Sequence, residues 1–381
     1  MATYDRIVVG LGGMGSAALC SLARRGAKVL GIESYGVAHD RGSSHGQTRI
    51  IRQAYFEHPD YVPLLRQAYQ QWERLEAECG RRLFERVGLL EVGVETGPTM
   101  QGIRRSASTH QLPIETLTPA ESARRFPSLH IPEGMDIIFE ANAGFLYVER
   151  CVEAAVEVAQ RYGAEVRTHT AVRQIRIEQG HCEVVTDAGV DRAEGVVLCL
   201  GPWAPAQLPI RLPLHVVRKH LHWFHCDDRR FHVDARCPAF FYELPEGSFY
   251  GFPAFGDVGV KVAEHTRGER AADPTLVDRT MDPMDTARID GFVRACLPSV
   301  SSTRTRHEVC MYTMTPDEHF IIDRHPDNSR AVYAAGFSGH GFKFAAGMGE
   351  CLADMTLHET RLPELDFLAA ARFPSGNGGS D

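Results

Sequence analysis

The run Gly10-Leu11-Gly12-Gly13-Met14-Gly15 restricts this chain more than any other segment. Ahead of it lies Asp5-Arg6-Ile7-Val8-Val9, short and rich in β-branched residues, which reads as a buried strand. Behind it, Ser16 to Arg25 carries helix formers, with Met14, Ala18, Leu19 and Leu22 at helical spacing and Gly26 as the stop. Lys28 to Ile32 forms a second apolar strand with Glu33 at its tip. A glycine-rich turn alone is a weak signal. Strand, G-x-G-x-x-G, helix, strand and acid in succession specify a βαβ unit that binds a dinucleotide. Gly10 makes the tight turn, Gly12 admits a pyrophosphate to the backbone, and Gly15 lets helix and strand close up. The helix N-terminus offers N–H groups and partial positive charge to phosphates, and Glu33 is placed to accept from ribose hydroxyls. The fingerprint does not separate NAD from FAD, although one βαβ unit opening a long, interleaved chain leans to FAD.

A length of 381 residues leaves room for about two domains. Helices are expected over Tyr61–Cys79, Arg150–Tyr162, from Pro283 to Leu297 and over Gly341–Leu357. Residues 82–148 read as short strands and turns, and 213–265 as aromatic-rich antiparallel strands. Gly195–Leu200 and Ala331–Gly336 are continuous apolar runs suited to strands buried on both faces. The pattern predicts an α/β, two-domain (α+β) architecture in which a Rossmann-like nucleotide domain is interleaved with an antiparallel or mixed-sheet substrate domain. The nucleotide domain takes 1–81, 149–212 and 319–365, the substrate domain 82–148 and 213–318, and 366–381 forms a flexible tail.

Composition removes several classes of function. The formal net charge is -8 and no basic run occurs, so no nucleic-acid partner is expected. The N-terminus lacks a signal-peptide pattern and no apolar stretch approaches membrane-spanning length, which predicts a cytoplasmic protein without a membrane. Ten scattered cysteines without a C-x-x-C pair fit reduced thiols. His220-Leu221-His222 with His225-Cys226 places histidines on one strand face, but without zinc-ligand spacing, so no metal is expected. A serine-hydrolase elbow is not expected either.

Three later segments carry a resemblance. They are Gly42-Ser43-Ser44-His45-Gly46-Gln47-Thr48-Arg49-Ile50-Ile51-Arg52; then Tyr250-Gly251-Phe252-Pro253 through Lys261 to His265; then Cys310-Met311-Tyr312-Thr313 with Asp317 to Asp323 and Gly336-Phe337-Ser338-Gly339-His340-Gly341-Phe342-Lys343. Together they resemble the sarcosine oxidase and N-methyltryptophan oxidase family of D-amino acid oxidase-like flavoproteins, over residues 3–357. The resemblance implies FAD, attached covalently through Cys310, whose thiolate needs nearby cations. It implies FAD contacts from Gly10, Gly12, Gly15, Glu33, Thr48, Val172, Gly201, Gly341 and Lys343. Arg52 and Lys343 would clamp the substrate carboxylate, with Phe241 and Gly339 in the substrate wall. Arg49 and His45 would lie against the flavin ring, Lys261 on its oxygen side, and His265 and Tyr250 near the substrate amine.

The implied reaction is hydride transfer from a small secondary amino acid to flavin, with O2 reduced to hydrogen peroxide and the imine hydrolysed. Sarcosine would give glycine and formaldehyde. Phe241 stands where family members carry methionine, and Ser44 where a histidine is common. L-Proline, L-pipecolate and N-methyltryptophan stay open as substrates, as does a dehydrogenase using another acceptor or, from a different class, a non-catalytic flavin-binding scaffold or sensor. The family's near relatives imply a monomer.

Overall fold

A computed structural model describes residues 3–360 and 362–374. Thr3–Val9 pairs in parallel with Val29–Ile32 on one side and Gly189–Leu198 on the other. Glu165–Arg167 extends the sheet beyond Val29–Ile32, and Asn328–Ala335 beyond the end of Gly189–Leu198. The hairpin of Val172–Glu178 and His181–Thr186 and the strand Ile321–His325 complete eight strands. The central strands end in apolar runs, Ile7–Val9, Val196–Leu198 and Ala331–Ala335, where both faces are covered. Val8, Val197 and Val332 pack in one core with the helices Gly13–Arg24 and Ala345–His358, while Ile7, Val9, Leu30 and Ile32 pack in another on the opposite face.

The second sheet has nine strands, drawn from 89–140 and 215–314. Its registers decide which side chains share a face. Glu91 lies opposite Phe241, Phe241 opposite Tyr250, and Tyr250 opposite Ala263, so these point the same way. Phe252 and Trp223 both lie opposite Lys261. Trp223, Leu221 and Lys219 lie opposite Arg306, Glu308 and Cys310. One face therefore carries Glu91, Phe241, Tyr250, Lys261, Glu308 and Cys310. The alternate residues, among them Leu90, Phe240, Tyr242, Phe249, Val260 and Val262, form an apolar core with Phe292 and Ile289 of the Pro283–Cys296 helix. A third, three-stranded sheet of Thr48–Ile51, Gly144–Tyr147 and Phe84–Glu85 joins the two and carries Arg49.

The structure corrects the sequence expectation at several elements. Within 82–148 it has two helices that were read as strands and turns, Pro98–His110 and Pro119–Arg125. Gly102, Ser106, Ser108 and Thr109 give the first weak helix propensity, but its Met100, Ile103 and Ala107 are buried and packing decides. The second is short and owes its start to a capping box between Thr118 and Glu121. The expected helix from Gly341 begins as a 3-10 turn, Phe342–Phe344, and becomes α-helical at Ala345. Residues 366–368 and 370–372, expected in a flexible tail, belong to 3-10 turns with Leu368 fully buried and Arg372 paired with Asp317. The rest of that tail, 375–381, lies outside the described residues. The Tyr61–Cys79 helix falls where its apolar stripe put it and ends at Gly80, whose φ of 67° is left-handed.

The Gly10–Gly15 turn shows why the helix can sit so close to the strand. A Cβ on Gly15 would lie 1.7 Å from the Gly10 carbonyl oxygen, a backbone atom that cannot move aside. Gly15→Ala should therefore open the turn, abolish FAD retention and lower the melting temperature by several degrees. Thermal unfolding with and without added FAD checks this; an unchanged flavin content would refute the close-packing role.

Candidate active site

A cavity of about 500 Å³ runs from this turn to the chemistry-bearing face of the nine-stranded sheet. That is a typical size for a cofactor or ligand site. Gly10, Gly12, Glu33, Val172 and Gly201 line one end, Arg49 is among the residues between, and Arg52, Phe241, Tyr250, His265, Gly339, Gly341 and Lys343 line the other. Gly15, His45, Thr48, Lys261 and Cys310 are buried behind that lining. Gly15 supports the turn, His45 and Thr48 belong to the segment 43–49, and Lys261 and Cys310 contact that segment.

The nucleotide end suits a dinucleotide on its own chemistry. Gly12 leaves an open cradle that a Cβ would fill, 3.3 Å from Ser44 Oγ. Glu33 accepts from the Leu11 N–H at 2.8 Å and the Tyr35 N–H at 3.1 Å, with His39 Nε2 at 3.3 Å. Burial pushes its pKa up, but His39 and the Leu11 N–H outweigh that and hold it below the usual carboxylate range. An ionised acid at a strand tip beside the glycine turn is the acceptor that ribose hydroxyls require. Ser44 takes a role that sequence did not suggest: its Oγ accepts the Gly13 N–H at 3.0 Å, bracing the start of the helix. Gly42–Gly46 also spells G-x-S-x-G, but that hydrogen bond makes Ser44 part of the glycine turn rather than a nucleophile elbow.

The 43–49 segment is fixed from beneath. Glu149 Oε1 accepts the Gly46 and Gln47 N–H groups at 2.8 and 3.0 Å, and Trp223 Nε1 donates to Gln47 Oε1 at 2.8 Å. Arg49 donates to Thr48 O and Ser43 O and reaches Cys310 Sγ at 3.2 Å. Burial would push the Cys310 thiol up, but Arg49, then His45, then Lys261 reverse this and bring it down to about 7. Other buried thiols, such as Cys20 and Cys199, are pushed up to about 12 by burial. All ten cysteines are free, so Cys310 differs from these in its cations rather than its depth. Lys261 donates to Gly46 O at 2.5 Å and to Thr48 O at 3.0 Å, and burial with Arg49 nearby drives its pKa well down.

At the far end, Arg52 lies between the rings of Tyr55 and Phe56, 4.3 and 4.0 Å from their centres. Its Nη2 donates to both oxygens of Glu57, at 2.9 and 2.7 Å. Burial would raise Glu57, yet Arg52, His340 and Lys343 hold it down to about 2. Glu57 was not singled out from sequence, because one Glu in an ordinary loop carries no pattern. Trp72 Nε1 donates to the Lys343 carbonyl at 2.8 Å, and Lys343 Nζ donates to His340 O at 2.8 Å. Burial and then Arg52 lower Lys343 to about 7. Glu91, also unanticipated, is fully buried 3.8 Å from Arg52 Nε, with no hydrogen bond to either oxygen. Burial raises it to about 8 against the pull of Arg52. Phe241 packs on Phe56, and His265 near Phe241, Tyr250 and Tyr312. Burial, then Lys219, takes His265 down to about 3, so it is neutral near pH 7.

His220 and His222 lie on the opposite face of their strand, paired with His307 at 2.9 Å and Asp285 at 2.8 Å. They are not part of the cavity lining. Among the described residues no cluster of His, Cys, Asp and Glu is arranged to hold a metal ion.

A family model described as DAO, FAD dependent oxidoreductase, matches residues 5–355. Monomeric sarcosine oxidase of Arthrobacter sp. (strain TE1826) is 38% identical over 360 residues, covering 93% of this chain and 92% of that protein. N-methyl-L-tryptophan oxidase of Yersinia pestis (strain Pestoides F) is 36% identical over 374 residues, covering 97% and 99%. Among solved structures, NikD, an unusual amino acid oxidase essential for nikkomycin biosynthesis, superposes with a TM-score of 0.84 at 24% identity, covering 97% of this chain and 98% of that one.

The geometry makes Glu57 an internal competitor for Arg52. Glu57→Gln removes the competing charge and should tighten binding of a small carboxylate such as acetate roughly tenfold, the difference between a charged and a neutral hydrogen-bond partner. Titration by flavin absorbance checks this, and weaker binding would show that Glu57 helps to build the site. Carboxylate affinity should also fall as pH rises through 7 to 8, since Lys343 then loses its positive charge and Glu91 gains a negative one. Affinity that is flat from pH 6 to 9 would contradict both assignments.

Proposed function

The chain belongs to the DAO family of FAD-dependent oxidoreductases, and from that premise we propose that it oxidises a small secondary amino acid, sarcosine foremost, with O2 as the acceptor. One observation carries the reading: a carboxylate, Glu57, already sits on Arg52 at one end of the cavity that begins at the Gly10–Gly12 turn. The substrate carboxylate replaces Glu57 on the Arg52 guanidinium, and Lys343 adds a second positive charge beside it. Phe241 and Phe56 close the wall and exclude water, leaving room for a small substituent rather than an extended one. When bound, FAD supplies the two-electron acceptor.

The protein's own residues bind, orient and tune. His265, kept neutral by burial, accepts a hydrogen bond from the amine without repelling it. The Tyr250 and Tyr312 hydroxyls, 3.4 Å apart, stay protonated because burial raises both. Arg49 stabilises negative charge arriving at the cofactor. Lys261, anchored on Gly46 and Thr48, is the residue we assign to the oxygen side. His45 and Arg49 favour the Cys310 thiolate, which supports covalent attachment of the flavin there. Thr48, Val172, Gly201 and Gly341 belong to the flavin-binding wall in this reading. We assign the chain to the cytoplasm as a monomer; among the described residues no helix is long and apolar enough to cross a membrane, and all cysteines are free.

Acid precipitation of the purified protein tests the attachment: the yellow colour should stay with the polypeptide and be lost from it in Cys310→Ser. Flavin released wholly into the supernatant would remove Cys310 from the assignment. A peroxide assay over sarcosine, L-proline, L-pipecolate and N-methyltryptophan should rank sarcosine first by kcat/KM; a preference for N-methyltryptophan would mean that Phe241 stacks on an indole instead of shortening the pocket. Lys261→Met should slow reoxidation by O2 by about 10²-fold while leaving reduction by substrate within a few-fold. Equal slowing of both half-reactions in stopped-flow traces would count against an oxygen-side role.

A further inference from the structure

The His215–Phe224 strand makes two separate pairings on either side of His265. His222 lies opposite Val262 in one, and Arg218 opposite Glu269 in the other. Between them three residues, 219–221, face six, 263–268. The surplus has to bulge, and a bulge re-aims side chains while leaving ladder groups unpaired. His265 stands on this bulge and lines the cavity. Its N–H donates to Ser248 O at 2.7 Å. The carbonyls of His265, Thr266 and Arg267 are met by one side chain: Lys219 Nζ donates to the first at 3.1 Å, to the second at 2.5 Å, and to the third. All three protons of the ammonium are thereby used. Lys219 is 4% exposed, and a Cβ on Gly268 would lie 3.2 Å from its Cδ, so the stem is packed into the bulge as well. Its Nζ also faces the ring of Tyr312, another lining residue, 5.3 Å from the centre.

We propose that Lys219 is a positioning residue for substrate binding: by capping the 263–268 bulge it holds the His265 imidazole in the cavity wall, at the substrate amine. This deepens, and rests on, the place given to His265 above. Lys219 does not itself line the cavity, so its effect on substrate passes through its neighbours. The imidazole packs against Phe241, Tyr250 and Tyr312 with ring centres 6.1, 6.3 and 5.9 Å away. Among the described residues no hydrogen bond holds the ring, so its direction depends on the backbone that carries it. Without the ammonium, three successive carbonyls would converge on a buried space with no donor, and the bulge would have to change shape. The charge has a second effect. Burial lowers Lys219 to about 8, against the pull of Glu264 and Asp285, so it is positive at pH 7. Next to burial, that charge is what keeps His265 neutral and able to accept from the amine.

The test uses the flavin-loaded full chain and sarcosine. Lys219→Met keeps an apolar stem and removes the three donors; KM should rise about tenfold while kcat stays within about threefold. Lys219→Arg, which keeps charge and donors, should recover most of the loss. In a His265→Asn background Lys219→Met should raise KM no further, because a residue that acts through another has no effect once the other is gone. An unchanged KM in Lys219→Met, or effects that multiply in the double variant, overturns the proposal. Should Lys219→Met fail to fold, Lys219→Gln enters the same cycle under the same criteria. If wild type does not oxidise sarcosine, or His265→Asn leaves its KM unchanged, the reading of His265 fails separately. Amide exchange of the holoenzyme then decides: faster exchange confined to 263–268 in the Lys219 variant upholds the cap, and exchange that is unchanged, or raised across the chain, overturns it.

Discussion

Four cations, Arg49, Arg52, Lys261 and Lys343, are buried around one cavity, and much of the fold serves to keep them there. Taking a charge out of water costs several kcal/mol unless partners restore what hydration supplied. The two arginines and the two lysines meet that cost differently. Arg52 is held by a carboxylate and two aromatic faces, and Arg49 by backbone carbonyls and an acidified thiol, so both guanidiniums remain charged. Lys261 donates to two backbone carbonyls and the Thr48 hydroxyl and Lys343 to a backbone carbonyl, with no carboxylate hydrogen-bonded to either, and burial lowers both. Arginine supplies the permanent charge of the site and lysine the conditional charge.

That division depends on the nine-stranded sheet presenting its chemistry on one face. Strand residues alternate, and the registers bring Phe241, Tyr250, Lys261, Glu308 and Cys310 to the same side while Phe240, Tyr242 and Val262 build the core behind them. A slip of one residue on any of these strands would exchange a residue of the opposite face with a site residue. The apolar face and its helix therefore hold the register on which the site depends.

This organisation also decides what could be read in the sequence. The βαβ unit was legible because its glycines, helix and acid occupy fixed offsets within a few residues. The Tyr61–Cys79 helix was legible because its apolar stripe is long. The family segments held Arg49, Arg52, Lys261, Cys310 and Lys343, and the structure brings all five to the cavity or directly behind it. Glu57, Glu91 and Glu308 were not legible. Each is an isolated acid whose partner is far away in sequence or in a loop of no pattern, as with Glu308 and His45, 263 positions apart. The Pro98–His110 helix was missed for the converse reason, since its tertiary packing overrides a weak local propensity.

The unanticipated acids give the two ends of the cavity opposite responses to pH. At the Cys310 end, rising pH completes the thiolate, whose midpoint lies near 7. At the Arg52 end, the same rise discharges Lys343 near 7 and charges Glu91 near 8, leaving less net attraction for a carboxylate. Conditions that favour the thiolate thus disfavour an anion at the Arg52 end, and the two overlap around neutrality. In the proposed covalent attachment the Cys310 thiol no longer titrates, so only the Arg52 end would go on responding to pH. On the proposed attachment at Cys310 this conflict is tolerable, because attachment happens once and substrate binding repeatedly, so the two events need not share an optimum.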